Sequence, residues 1–230
     1  MIQFKHYLEE GKNDKSIFHA IFMAGGPGSG KSYVVGQLGL LSLNFKDINS
    51  DSALEKAMKL SLMDMEMPDG QAYAKDIVRG ISKKTTKRKE GHAINGRLGL
   101  VIDGTGKDDS KIKAHKEALE KLGYECSMVF VDTFLDTSIE RDMQRGKDGG
   151  RSLGSKAVTS MWKGVQSNKK SYSSLFGKRL FIIENNSTGK DDKDGNAQFD
   201  RQINKINKKI SSWANQLPNN PQVKAWMDVN

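Results

Sequence analysis

Between residues 17 and 32 the chain reads Ile17-Phe18-His19-Ala20-Ile21-Phe22-Met23-Ala24-Gly25-Gly26-Pro27-Gly28-Ser29-Gly30-Lys31-Ser32. The second half fits the phosphate-binding pattern G-x-x-x-x-G-K-[ST], in which glycines let the main chain wrap closely around phosphates. A helix starting after this loop adds the positive end of its dipole. We therefore predict that the chain binds ATP and Mg²⁺, with Lys31 reaching the β- and γ-phosphates and the Ser32 hydroxyl ligating the metal. The nucleotide-binding residues predicted in this loop are Gly26, Gly28, Ser29, Gly30, Lys31 and Ser32.

Outward from this loop, short apolar runs alternate with segments of helical character. The pattern predicts five buried strands, at residues 17–24, 45–49, 98–103, 126–131 and 180–184. It predicts helices at about 31–41, 52–63, 71–90, 110–123, 136–146, 154–172 and 198–216. Near-continuous apolar strands alternating with helices are typical of a parallel sheet covered on both faces. The fold class is therefore α/β, a three-layer αβα sandwich with a five-stranded, mainly parallel sheet, in which ligands bind beyond the carboxyl ends of the strands.

The end of the second predicted strand, Asp47-Ile48-Asn49-Ser50-Asp51-Ser52, carries a candidate catalytic acid. A carboxylate at this point faces the space beside the γ-phosphate, where Asp51 could accept the proton of an attacking hydroxyl. Asp51 could equally be the N-cap of the following helix, a common position for Asp. Spacing alone leaves both alternatives open.

Four segments together resemble the group of P-loop kinases that contains the phage polynucleotide 5′-kinases and the zeta toxins. These segments are Gly25–Ser32, Asp47–Asp51, Val101–Gly106 and Thr137–Gly146, spread over residues 17–175. In both families an aspartate after the second strand is the general base, and Asp51 falls on it. The arginine that polynucleotide kinases carry three residues later is Leu54 here. The resemblance implies a kinase with a helical lid, and the departure at Leu54 implies that the acceptor need not be a simple nucleic-acid end.

The third predicted strand ends in Val101-Ile102-Asp103-Gly104-Thr105-Gly106-Lys107. An acid that ends a buried strand next to the phosphate loop is placed to hold the water shell of magnesium, so Asp103 is a predicted metal and substrate residue. It could alternatively bind the acceptor or only cap the turn. Because this stretch resembles the Ile-Glu-Gly-Thr-Gly-Arg stretch of zeta toxins, Thr105 is expected to help hold the acceptor.

The segment Thr137–Gly146 resembles the lid helix of polynucleotide kinases, in which an Arg-x-x-x-Arg-Gly pair faces ATP. Arg141 and Arg145 are four residues apart and so share one helix face. We predict that both neutralise charge developing on the transferred phosphate, and that Arg151 is a further nucleotide-binding candidate. The alternative is a solvated basic face paired with Glu140 and Asp142.

Several weaker candidates complete the predicted site. Arg79 and Arg97 flank the basic run Lys83–Lys89, which either contacts a polyanionic acceptor or is a solvated face. By analogy with the fold alone, Asn185 is expected to hold adenine. The substrate residues predicted are Asp51, Asp103, Thr105, Arg79 and Arg97.

Composition narrows the remaining choices. The 230 residues carry a formal net charge of +9 and one cysteine, which favours a polyanionic partner and excludes an internal disulfide framework. The four histidines make no metal spacing, and no apolar run or N-terminal signal suggests a membrane partner, so a cytoplasmic protein is expected, in host cytoplasm if phage-encoded. We expect one kinase domain over residues 1–230, with a lid at about 137–155, a flexible loop at about 185–197 and a C-terminal tail at 218–230.

These observations lead to three hypotheses about function. The first is a kinase acting on a hydroxyl of a nucleic acid or nucleotide; one form of it is a phage kinase of hydroxymethylpyrimidines in DNA. The second is a zeta-toxin-like kinase of a nucleotide sugar, which the basic charge weakens. The third is a non-catalytic nucleic-acid-binding module that responds to nucleotide, which the presence of Lys31, Asp51 and the paired arginines disfavours.

Overall fold

A computed structural model describes residues 14–51, Leu54, 72–187 and 191–229. Its core is a five-stranded sheet of β1 (His19–Ala24), β2 (Lys46–Ile48), β3 (Leu100–Asp103), β4 (Glu125–Asp132) and β5 (Leu180–Glu184). The strand order is β2-β3-β1-β4-β5, and all neighbours run parallel. The predicted α/β class and parallel sheet are thereby confirmed.

Besides the helical residues 50, 51 and 54, eight α-helices connect and flank the strands in the described part of the chain. They are α1 (Lys31–Gln37), α2 (Ala72–Asn95), α3 (Asp109–Glu120), α4 (Leu135–Lys147), α5 (Ser155–Ser167), α6 (Lys169–Phe176), α7 (Lys193–Ala214) and α8 (Pro221–Val229). Short 3₁₀ turns cover Leu41–Leu43 and Gly177–Arg179. No described helix is both long and apolar enough to cross a bilayer. The helix predicted at 52–63 lies outside the described residues except for Leu54.

The central strand β1 is buried on both faces because its side chains alternate between two cores. Phe22 belongs to the core that helices α3, α5, α6 and α8 cover, whereas Ile21 and Met23 belong to the core that α1 and α7 cover. This alternation produces the three-layer sandwich. Because β1, β2 and β3 run parallel, the loops that follow them lie at the same end of the sheet, where the candidate site lies.

Two predicted boundaries are wrong. The helix predicted at 154–172 is divided at Asn168, whose main-chain N–H bonds to the Val165 carbonyl and whose side-chain amide donates to the Gly106 carbonyl at 3.2 Å. The loop predicted at 185–197 ends earlier than expected, because α7 begins at Lys193. The Asp192 carboxylate caps that helix by accepting from the Gly195 N–H at 2.9 Å. An N-cap of this kind is hard to recognise in a segment in which most residues are polar.

The C-terminal tail forms α8 and packs against the core. Val223 is buried there, and the Trp226 ring meets Phe18 edge-on with ring centroids 5.4 Å apart. The helix is held at its start by Asn220, which accepts from the Val223 N–H and donates to the Gly123 carbonyl.

Candidate active site

The phosphate loop between β1 and α1 is shaped by two glycines with positive φ. Gly28 has φ 75° and Gly30 has φ 85°, a region that other residues rarely adopt. A Cβ atom on Gly28 would lie 2.3 Å from the Ser138 carbonyl oxygen, and one on Gly30 would lie 2.5 Å from Asn185 Nδ2. The loop is therefore packed tightly against α4 and the segment after β5.

Lys31, the first residue of α1, folds back over this loop. Its Nζ donates to the carbonyl oxygens of Gly25 at 2.9 Å and Gly26 at 3.4 Å. Burial lowers the pKa of the Lys31 ammonium, and the carboxylates of Asp103 and Asp51 oppose that shift. The lysine and both predicted acids thus lie within electrostatic reach of one another at one edge of the sheet. Ser32 follows in the first turn of α1 with its side chain exposed.

Asp103, at the end of β3, has one satisfied and one unsatisfied carboxylate oxygen. Oδ2 accepts from Asn49 Nδ2 at 2.8 Å, whereas Oδ1 is buried without a hydrogen-bond partner in the described part of the chain. Burial raises the pKa of Asp103; Lys31 lowers it, and Asp47 and Asp51 raise it further. A buried carboxylate oxygen without a hydrogen-bond partner is suited to a cation or to the water bound by one.

The position of Asp51 excludes one of its two predicted roles, the N-cap, and leaves the catalytic role a prediction. Residues 50, 51 and 54 are helical, so Asp51 lies inside the first turn and is not the residue that caps it. Asn49 makes the capping contact instead, because its Oδ1 accepts from the Asp51 N–H at 2.8 Å. The Asp51 side chain is 54% exposed, and its Oδ1 lies 3.5 Å from Arg151 Nη2. The carboxylate is therefore free of a capping role and accessible to an acceptor.

The loop after β3 supports the phosphate loop through its main chain. The Thr105 carbonyl accepts from the Gly25 N–H at 3.2 Å. The Gly106 carbonyl accepts from the Tyr172 hydroxyl and from Asn168 Nδ2, which fixes the loop against α6. The Thr105 side chain remains a predicted acceptor contact, and its main chain has a supporting role that the sequence did not indicate.

Two predicted residues, Arg141 and Asn185, form hydrogen bonds that connect the segments around the site. Arg141 donates to the carbonyl oxygens of Asn185 at 3.0 Å and Ser187 at 2.8 Å, and burial lowers its pKa. Asn185 Nδ2 donates to the Ser29 carbonyl at 2.8 Å. These donors are used on protein carbonyl groups, while both side chains also line a cavity at the phosphate loop, so their roles toward phosphate and adenine stay predictions.

Arg145 and Arg151 remain candidates for neutralising phosphate charge. Arg145 pairs with Asp142 at 2.8 Å, and it lies close enough to Lys31 to lower the lysine's pKa. Both arginines have a buried Nε atom without a hydrogen-bond partner within the described ranges. Unsatisfied buried donors beside the phosphate loop are suited to an anionic ligand.

Arg79 and Arg97, the two acceptor candidates beside the basic run, separate in space. Arg79 is exposed on α2, one turn before Ser82, whose hydroxyl donates to the Ser50 carbonyl at 2.7 Å. It therefore lies on the side of Asp51. The prediction for Arg97 is wrong: this residue precedes β3, its carbonyl accepts from the Phe18 N–H, and it lies at the amino ends of the strands. The opposite edge of a parallel sheet is out of reach of the site.

A cavity of about 700 Å³ adjoins the phosphate loop, and some of the residues that line it were not predicted from the sequence. The Tyr33 and Phe199 rings stack there with centroids 5.6 Å apart and an angle of 21° between their planes. Tyr33 follows the loop directly, but Phe199 is on α7 and no local spacing relates the two. The cavity is lined by Gly30, Tyr33, Thr137, Glu140, Arg141, Asn185, Ser187, Asn196, Phe199 and Asp200.

A parallel αβα sandwich with a phosphate loop after β1 and acids after β2 and β3 defines the class of P-loop kinases. The family model described as Zeta toxin matches residues 6–201, so the chain belongs to the Zeta toxin family. The predicted resemblance to the group of zeta toxins and polynucleotide kinases is thereby confirmed, and with it the prediction of a kinase.

The individual proteins that match this chain share only a small part of its sequence. Adenylate kinase isoenzyme 1 of Cyprinus carpio is 26% identical over 136 residues, which are 57% of this chain and 66% of the relative. The PezAT toxin–antitoxin structure of Streptococcus pneumoniae aligns with a TM-score of 0.52 and 16% identity, covering 93% of both chains. A chain of the Pnkp1/Rnl/Hen1 RNA repair complex aligns with a TM-score of 0.51 and 16% identity, covering 66% of this chain and 45% of that one. These structural likenesses concern the fold.

Proposed function

We propose that the protein is an ATP- and Mg²⁺-dependent kinase that transfers the γ-phosphate to a hydroxyl of a nucleic acid or nucleotide. The observation that carries this proposal is the grouping of Lys31, Asp51 and Asp103 at the carboxyl edge of the sheet, where the charges of both acids act on the lysine. The phosphate loop supplies the grip on a nucleotide, and the exposed acid supplies a base.

In the proposed reaction the acceptor oxygen attacks the γ-phosphorus and forms the new O–P bond. The bond from that phosphorus to the β,γ-bridging oxygen breaks, and ADP leaves with the electron pair. The hydroxyl proton passes to the Asp51 carboxylate. Lys31, Arg145 and Arg151 neutralise the charge that spreads over the phosphate oxygens.

The residues suited to Mg²⁺ are the Ser32 hydroxyl and the Asp103 carboxylate. Both are oxygen donors, and Asp103 has a buried oxygen without a partner in the described structure. A Mg²⁺ ion bound by so few protein ligands would take its other ligands from phosphates and water. When bound, Mg²⁺ would offset negative charge on the β- and γ-phosphates.

The cavity beside Tyr33 is the proposed nucleoside site. Its volume falls within the range of pockets for small ligands, and its stacked rings offer an aromatic surface to a purine. The site continues from Gly30 at the phosphate loop, so base and phosphates of one nucleotide can be held together.

A polyanionic acceptor is supported by the exposed basic run on α2, a helix that also contacts the segment of Asp51. Five basic side chains of the run Lys83–Lys89 are exposed, and the Ser82–Ser50 hydrogen bond ties this helix to the segment that carries Asp51. A nucleotide-sugar acceptor is the second candidate, favoured by the Zeta toxin match over residues 6–201. The phage hydroxymethylpyrimidine reaction remains a special form of the first.

The test is incubation of γ-labelled ATP and Mg²⁺ with 5′-hydroxyl DNA, hydroxymethylated DNA, RNA ends, free nucleotides and UDP-sugars. We expect label on one of the nucleic-acid or nucleotide acceptors. Label on the UDP-sugar alone selects the second candidate. ATP binding without labelling of any acceptor would contradict the kinase proposal and favour a non-catalytic nucleic-acid-binding module.

A further inference from the structure

One buried carboxylate, predicted only as a solvated partner of the lid arginines, contacts both Arg145 and the loop that carries Arg151. Asp142, on α4, is 1% exposed. Its Oδ1 accepts from Arg145 Nη2 at 2.8 Å. Its Oδ2 accepts from the Ser152 hydroxyl at 2.8 Å, the Leu153 N–H at 2.9 Å and the Gly154 N–H at 3.1 Å. Burial raises the pKa of Asp142, but these hydrogen bonds together outweigh it and leave the pKa below its usual value, so the group is a carboxylate.

The three donors to Oδ2 immediately follow Arg151 in the glycine-rich loop at 148–154. Arg151 itself is 6% exposed, and its guanidinium reaches Asp51 at 3.5 Å. The start of the loop is also close-packed, because a Cβ atom on Gly150 would lie 2.7 Å from Arg145 Cγ. A loop rich in glycine has a high conformational entropy when free, so a specific anchor is needed to hold Arg151 in one place.

We propose that Asp142 is a positioning residue that holds Arg145 with one oxygen and the Arg151 loop with the other, and so sets both arginines around the transferred phosphate. This inference rests on the proposed kinase function. Both contacts require an acceptor oxygen, which a carboxylate supplies twice. Asn has one oxygen and one NH₂ group, so in either orientation its NH₂ group would point at a donor, either the Arg145 guanidinium or the loop N–H groups.

The first test measures phosphoryl transfer by Asp142→Asn. We expect kcat to fall on the order of 10- to 100-fold, since displaced catalytic groups cost about this much. The KM for ATP should change much less, because the phosphate loop and the nucleoside cavity are untouched. Asp136→Asn, an exposed change on the same helix, is the matched control and should keep wild-type kcat. A folded Asp142→Asn enzyme with normal kcat would overturn the proposal.

A second variant separates positioning from general stability. Ser152→Ala removes one donor to Asp142 and leaves the buried carboxylate in place. We expect this change to lower kcat when Arg151 is present. In an Arg151→Gln protein the same change should lower kcat by no more than about twofold, because the arginine through which Ser152 acts is already gone and the two effects are not additive. An equal loss in both backgrounds means that Ser152 and Asp142 do not act through Arg151, and the proposal is then wrong. If Asp142→Asn does not fold, the Ser152→Ala comparison still tests whether the anchor acts through Arg151.

Amide hydrogen exchange tests the anchor without any enzyme assay. The Leu153 and Gly154 amides should exchange faster in Asp142→Asn than in wild type, whereas amides of β4 should be unchanged. Equal exchange in the two proteins would overturn the proposed anchor. If the wild-type protein transfers phosphate to no acceptor but loses this protection on mutation, the kinase function fails and the anchoring role stands.

Discussion

Lys31 Nζ donates a hydrogen bond of 2.9 Å to the carbonyl oxygen of Gly25, the first residue of the loop that precedes it. The lysine therefore lies across the phosphate loop, where burial lowers its pKa and the nearby carboxylates of Asp103 and Asp51 oppose part of that shift. A nucleotide that enters the loop offers this ammonium phosphate oxygens in place of a carbonyl oxygen, which is a stronger, charge-assisted contact.

Lys31→Met should remove that contact and leave the fold intact. We expect kcat/KM for ATP to fall by roughly 10²- to 10³-fold, the usual cost of losing one donor that stabilises transition-state charge. Steady-state kinetics with the identified acceptor measure it, and Lys163→Met, an exposed change on α5, is the control. A variant within threefold of wild type would remove Lys31 from the proposed site.

Asp51→Asn should nearly abolish transfer while ATP affinity stays close to that of wild type. The reason is that the amide keeps the shape of the side chain but cannot accept the acceptor's proton; general-base catalysis contributes roughly 10²- to 10⁴-fold. Turnover and calorimetric ATP binding are measured in parallel, with Asp228→Asn on α8 as the control. Near-normal turnover would show that another group takes the proton.

Gly28→Ala and Gly36→Ala form a matched pair for the phosphate loop. The first places a methyl group 2.3 Å from the Ser138 carbonyl at φ 75°, so we expect a stability loss of about 1–3 kcal/mol or more and weaker nucleotide binding. The second changes a glycine in α1 whose added Cβ meets nothing within 4 Å, so a gain of about 0.4–1 kcal/mol is expected. Urea unfolding measures both. Equal effects would mean that the close approach to α4 is not rigid.

Tyr33→Ala tests the nucleoside cavity. Removing one ring of the Tyr33–Phe199 stack should weaken ATP binding by about 1–3 kcal/mol, the range for aromatic stacking on a base. Leu41→Ala, another exposed apolar change near α1, should leave affinity unchanged. Unaltered ATP affinity in Tyr33→Ala would place the base elsewhere.

The buried histidine of β1 predicts a pH dependence of stability. Burial lowers the pKa of His19 to about 4, below the ordinary value of about 6.5. Between these values the unfolded chain holds the extra proton, so the free energy of unfolding falls as the pH falls, by up to about 1.4 kcal/mol per pH unit. Denaturant titrations at about pH 7 and pH 5 measure the loss, which should be smaller in His19→Gln. The same pH slope in both proteins would contradict this account.

Local sequence determined the parts of this protein that depend on short-range physics. Apolar runs of strand length, separated by helical segments, were enough to predict a parallel α/β sheet, because a strand buried on both faces must be apolar throughout. The phosphate loop was readable because positive φ angles and close main-chain approach demand glycine at fixed spacing. The location of Asp51 and Asp103 at one edge could be predicted because parallel strands bring their carboxyl ends together, whereas their roles stay predictions.

Tertiary structure alone decided which side chains share that edge and what each one contacts. Arg97 was misplaced because the prediction relied on its charge and its closeness to the basic run, although its position before the third predicted strand already put it at the amino end of that strand. The side chains of Arg141 and Asn185 donate hydrogen bonds to carbonyl groups of segments that are far away along the chain. Phe199 was missed, and Asp142 was predicted only as a solvated ion-pair partner, because a ring stack and a buried carboxylate depend on contacts that no local periodicity encodes.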